Sequence, residues 1–130
     1  VHLAKEISKI SSKKEITTNI LLEVNVGKEE SKSGIFLEGL NDLIAEVSEM
    51  ENIKIKGLMT IPPICDSEAE ASKYFESMYQ TFIDIKNKKI DNVDMDILSM
   101  GMSHDYEAAV KNGSNIVRVG SAIFGARKYF

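Results

Sequence analysis

A single arginine stands inside the apolar run NIVRVG near the end of the chain, followed by a glycine and a small hydroxyl: Arg118, Gly120 and Ser121. A guanidinium stays protonated at physiological pH and is costly to bury without acceptors. Two chemistries would satisfy it. One is a structural ion pair with a neighbouring acid; the other is contact with a bound ligand. Gly120 would let a ligand approach the backbone closely. The N–H groups that open the following turn, SAIFGAR, would point into the same space and favour an anion, phosphate above all.

LSMGMSHD, residues 98–105, repeats the design one strand earlier, with Gly101 for a turn and Ser103 as the expected N-cap of a short helix. A serine N-cap alone is ordinary. Two such loops on neighbouring strands are expected to grip one phosphate together. Lys32, in SKSGI, reads either as solvated surface or as a second cation at the same mouth. Met59 and Thr60 lie at a strand end in GLMTIPP, with core packing the plainer role for Met59. The two histidines, His2 and His104, form no ligand cluster with Cys65, so no metal site is expected. Cys65 has no identifiable base partner and is not read as a nucleophile.

The elements that position these residues alternate. Residues 2–12 read as the end of a helix and 18–26 as a strand rich in branched and apolar residues. FLEGLNDLIAEVSEM spaces Phe36, Leu37, Leu40, Leu43, Ile44 and Val47 along one helical face. NIKIKGLMTI is a strand that Pro62 and Pro63 end. A long helix follows, with Ser67 as N-cap and Phe75, Met78, Tyr79 and Phe82 as its core stripe. VDMDILSM is a third strand, HDYEAAVKN a short helix closed by Gly113, NIVRVG a fourth strand and SAIFGAR a final helical turn.

Strict alternation at this spacing predicts βαβ units and an α/β parallel sheet. An open doubly wound sheet normally has five strands, whereas four βα units match half of a (β/α)8 barrel of the TIM type. Polar residues gather toward the strand ends (Glu23, Asn25, Thr60, Ser99, Arg118), where barrel sites are built. The expectation is a single domain over 1–130, the C-terminal half of a phosphate-binding barrel. VHLAKEI has an amphipathic pattern but no capping residue before it. The N-terminal half is therefore expected to lie elsewhere. The exposed edges of the first and fourth strands are then expected to pair with that half or with a second copy.

The chain has 130 residues, 20 acids against 16 bases for a net charge of −4, and one cysteine. That balance argues against a nucleic-acid surface. The lone cysteine fits a reducing, cytoplasmic compartment. No apolar run approaches the roughly 20 residues a membrane span requires. A sugar-phosphate isomerase or aldolase barrel would need catalytic groups at several strand ends, and Glu23 is the only acid so placed. An open-sheet binding module would need an acidic pocket at its first strand end, with the same thin support.

SKSGI, KIKGLMTIP, ILLEVNVG and the long run LSMGMSHDYEAAVKNGSNIVRVGSAIFGAR resemble the YggS/PROSC family of pyridoxal-phosphate homeostasis proteins, relatives of the alanine racemase barrel domain. The likeness runs from about Asn19 to Arg127. It implies a (β/α)8 barrel that binds pyridoxal 5′-phosphate (PLP) at its C-terminal mouth. By this likeness Ser103 and the backbone near Gly120 and Ser121 hold the phosphate, and Arg118 faces the pyridine nitrogen. Lys32 corresponds to a second lysine of the mouth, with Met59 nearby on its strand. An arginine at the ring nitrogen keeps it unprotonated and makes the ring a poorer electron sink, which suits a carrier rather than a racemase-like catalyst. The family's covalent lysine lies in the N-terminal half, and no lysine here matches it. Covalent attachment of PLP to this chain is therefore not expected.

Overall fold

The computed structural model describes residues 1–127. In chain order it has α1 (His2–Lys13), β1 (Thr18–Val24), α2 (Leu37–Ser48), β2 (Ile53–Thr60) and α3 (Glu68–Lys88). Then come β3 (Val93–Met102), α4 (Tyr106–Lys111), β4 (Ile116–Arg118) and α5 (Ser121–Phe124). The four strands form one sheet in the order β1-β2-β3-β4. All three pairings are parallel. Strand–helix–strand crossovers are right-handed almost without exception. A sequential strand order with one hand of crossover sends every connecting helix to the same face. A doubly wound sheet instead reverses its strand order part-way. Nothing reverses here, and the arrangement is that of a partial barrel.

The core lies between the helices and the face of the sheet they cover. Ile53, Ile55 and Leu58 of β2 and Met95, Leu98 and Met100 of β3 are buried there. Leu40, Ile44 and Val47 of α2 pack onto them with Phe75, Met78, Phe82 and Ile85 of α3. The residues between these strand positions point the other way. Lys54 and Lys56 of β2 pair with Asp94 and Asp96 of β3 (Lys54–Asp94 3.0 Å, Lys56–Asp96 2.8 Å), so the uncovered face is charged toward the strand starts.

Helix α3 begins as its sequence predicts. Ser67 Oγ accepts the Glu70 N–H at 3.1 Å, and Glu68 and Glu70 sit at the positive end of the dipole. Tyr79 departs from the expected stripe: it is 40% exposed. Its ring lies against Gly113, where a Cβ would come within 2.3 Å of it. The strand expected over 18–26 stops at Val24, because Asn25 turns the chain. Its buried amide donates to the Glu29 carbonyl at 2.6 Å and its oxygen accepts the Glu29 N–H at 3.0 Å. The third strand runs two residues further than expected, to Met102, and the fourth is only three residues long. Gly57 marks a register shift between β2 and β3. A Cβ there would lie 1.8 Å from the Ile97 carbonyl oxygen, so no side chain fits between the strands.

Candidate functional site

At the C-terminal end of the sheet β3 and β4 are neighbours, and the loops that follow them meet. Ser103 was expected to cap the short helix after β3, and it does not. The N-cap of α4 is Asp105, and its side chain makes no cap bond. Ser103 Oγ instead accepts the Ala122 N–H of α5 at 3.0 Å, a contact spanning 19 residues. The correction has a simple cause: sequence shows which helix follows a serine, not which backbone lies across the loop. With its acceptor side engaged, the Ser103 hydroxyl still has a proton to donate. Ser121 is the first residue of α5 and Gly120 its N-cap. A Cβ at Gly120 would meet nothing within 4 Å among the described residues, so the backbone there is open to approach.

Arg118, the last residue of β4, crosses over β3. Its Nη2 donates to the Thr60 carbonyl, the final carbonyl of β2, at 3.0 Å. No acid lies within ion-pair distance of it among the described residues. Its Nε is buried and has no hydrogen-bond partner among the described residues. Leaving a buried charged donor unpaired costs about 1–3 kcal/mol or more, so this atom calls for an acceptor that the described protein atoms do not supply. Thr60 is itself fully buried and donates its hydroxyl to the Val24 carbonyl at 2.6 Å. The ends of β1, β2 and β4 are thus tied together through one residue.

Lys32, in the loop after β1, reaches over the end of β2. Its Nζ lies 2.8 Å from Glu29 Oε1 and 3.3 Å from the Pro62 carbonyl. It is paired with a local carboxylate and keeps about a third of its side chain exposed. Met59 stands in register between Glu23 and Ser99. It lines a groove of about 700 Å³ at the outer edge of β1, whose C-terminal end pairs with Ile35, with Leu3 and Ile7 of α1 and Ile20 of β1. A smaller cavity of about 340 Å³ lies between the β2–α3 and β3–α4 loops, lined by Cys65, Ser67, Ser103 and Asp105 among others. Burial pushes the Cys65 thiol up, and the carboxylates of Glu70, Asp105 and Asp66 add to this. A thiol so placed stays protonated. Among the described residues no group of His, Cys, Asp and Glu side chains could hold a metal ion. No helix among them is long and apolar enough to cross a membrane.

Two features were missed in the sequence. One is the charged quartet of Lys54, Lys56, Asp94 and Asp96, whose signal was present as the alternation Lys-x-Lys in KIK and Asp-x-Asp in DMD. The other is Asp105, whose side chain is only 8% exposed.

The family model for the N-terminal domain of alanine racemase matches residues 1–128. The chain belongs to that family. Two curated relatives named pyridoxal phosphate homeostasis protein are close in sequence. The one from Aquifex aeolicus is 42% identical over 128 residues, covering 98% of this chain and 55% of the relative. The one from Escherichia coli strain K12 is 43% identical over 111 residues, covering 85% of this chain and 46% of the relative. The chain thus spans about half the length of the curated relatives it matches. Among solved structures, PipY of Synechococcus elongatus with PLP bound superposes with a TM-score of 0.82 at 26% identity, over 95% of this chain and 57% of that one. Alanine racemase of Clostridium difficile, in complex with cycloserine, is 18% identical with a TM-score of 0.67 over 98% of this chain and 35% of that one, a likeness of fold.

Proposed function

We propose that this chain supplies the phosphate-gripping and ring-contacting part of a pyridoxal 5′-phosphate site in a non-catalytic carrier of that cofactor. The observation that carries the reading is the orphaned Arg118 Nε, buried beside the Ser103–α5 junction's own strand and lacking an acceptor among the described residues. A pyridine nitrogen with a free lone pair is an acceptor of the right kind. The PLP-bound relative PipY and the names of the curated relatives support the ligand.

In this assignment the Ser103 hydroxyl, the backbone at Gly120 and the N–H and hydroxyl of Ser121 hold the phosphate. Arg118 donates to the ring nitrogen and, being permanently charged, prevents its protonation. Lys32 adds positive charge at the mouth, and Met59 lies on the strand between Glu23 and Ser99. PLP supplies an electrophilic aldehyde, and none of this chain's lysines is assigned to bond it. The permanent cation opposite the ring nitrogen weakens the electron sink a racemase needs, which favours storage and delivery over catalysis. The chain contributes one half of a barrel, and the edge of β4 and the part of the β1 edge that Ile35 does not pair with take strands from a further segment or from a second copy. We place it in the reducing cytoplasm, where Cys65 remains a thiol.

Calorimetric titration with PLP tests the assignment. Arg118→Ala should weaken binding about tenfold, in keeping with the roughly 1.5–3 kcal/mol of a hydrogen bond to a charged group. It should also shift the absorbance of the bound ligand. Unchanged affinity together with an unchanged spectrum would return Arg118 to a purely structural role.

A further inference from the structure

Asp105 occupies the N-cap position of α4, and aspartate is among the best N-cap residues. Yet its carboxylate caps nothing on that helix. Oδ1 turns back to the strand and accepts the Met102 N–H at 2.7 Å, while the Asp105 N–H donates to the Met102 carbonyl at 3.2 Å. These two bonds close a tight loop around Ser103 and His104. The Asp105 carbonyl meanwhile starts α4 by accepting the Ala109 N–H at 3.1 Å. The side chain is nearly buried, and its second oxygen lies 3.4 Å from Nε2 of the exposed His104. Just before the loop, Gly101 is at φ +108° and packs against Ala109 and Tyr106 too closely for a side chain, which anchors the strand end. The outcome of this closure is the position of one atom: Ser103 Oγ, delivered to the Ala122 N–H.

We propose that Asp105 is the positioning residue of the anion cradle, its carboxylate setting the Ser103 hydroxyl against α5 through the Met102 N–H. The inference rests on the phosphate reading above and adds to it a residue that touches no ligand. An aspartate that forgoes its own helix cap in favour of a loop shape is spent on that shape. Its Oδ1 is engaged by the Met102 N–H and its Oδ2 lies beside His104.

The test uses the whole chain and two readouts, Ala122 amide exchange by NMR without ligand and the Kd for inorganic phosphate. Asp105→Ala should speed Ala122 exchange at least tenfold and weaken phosphate about tenfold, with far-UV dichroism unchanged. Asp105→Asn keeps an oxygen for the Met102 N–H and should restore both values to within about twofold. Ser103→Ala should match Asp105→Ala in both. If a folded Asp105→Ala chain keeps wild-type exchange and affinity, or if a folded Asp105→Asn chain is no better than Ala, the positioning role is wrong. If the wild-type chain binds no phosphate, the cradle reading itself fails and this role falls with it.

Discussion

Arg118 is the residue on which the site turns. Its charge made it visible in the sequence, and its surroundings show how much of that charge the described residues satisfy. One donor goes to a backbone carbonyl of β2, and another is buried without a partner among the described residues. Thr60 supplies that carbonyl, and its hydroxyl is buried on the Val24 carbonyl. Thr60→Val keeps the shape, removes the donor and leaves the Val24 oxygen short of a partner. It should cost about 1–3 kcal/mol in urea unfolding and loosen PLP through Arg118. A Thr60→Val chain of wild-type stability would show that this link carries nothing. At this scale the residue types of the site were legible, because permanent charge, hydroxyls and glycines in apolar runs stand out. The partners were not. Ser103 reads locally as a cap, and its real partner lies 19 residues away across two loops. Lys32 reads either as surface or as a cation at the mouth, and nothing in SKSGI reveals the Glu29 carboxylate and Pro62 carbonyl beside it.

At the scale of elements, helix α3 and the β2–β3 pair carry the fold. Phe75 is fully buried at the centre of the α3 stripe. Phe75→Ala should therefore destabilise the chain by about 3–5 kcal/mol in urea unfolding. A loss below about 1 kcal/mol would contradict its place in the core. On the uncovered face, Lys54 and Lys56 hold the Asp94 carboxyl below the usual carboxylate range, and Asp96, with Asp94, holds the Lys56 ammonium above its own. The signs follow from linkage. Asp94 contributes above the ordinary carboxylate range and loses that contribution as pH falls through its lowered folded value. Lys56 contributes below the ordinary ammonium range and loses it as pH rises through its raised value. The stability gap between wild type and Asp94→Asn should be flat through neutral pH, shrink below about pH 4 and diminish in high salt, since these groups are exposed. A gap that widened in acid would contradict the pairing. Periodicity located the longer helices and strands, because burial on one face imposes it; β4 and α5, which bury no residue, were legible only as an apolar run and a short turn. It misplaced strand ends that Asn25 and Asp105 set by hydrogen bonds, and gave no sign of the register shift at Gly57, because neither leaves a periodic trace.

For the whole molecule, the sequential parallel order with one hand of crossover makes the sheet curl toward a barrel, and the chain covers about half the length of its curated relatives. The α/β class and the partial barrel were legible because strict alternation and strand number bound the possibilities tightly. The uncovered face could not be read that way, since its charged quartet only takes meaning once β2 and β3 are paired in register. The groove of about 700 Å³ at the edge of β1 is apolar, and Leu3 beside it is 71% exposed. Edges and faces of this kind take partners. Size-exclusion chromatography with light scattering should show the chain as a dimer, or in company with a complementary half when one is supplied. A well-folded monomer that ignores an added half would contradict the open-edge account. The central claim, that the Ser103–Ser121 end of the sheet grips a phosphate, is tested most directly by comparing PLP with pyridoxal, which lacks the phosphate. The account predicts that PLP binds at least about tenfold more tightly and that Ser103→Ala erases most of the difference, a hydrogen bond to a charged group being worth roughly 1.5–3 kcal/mol. Equal affinities for the two ligands would contradict it.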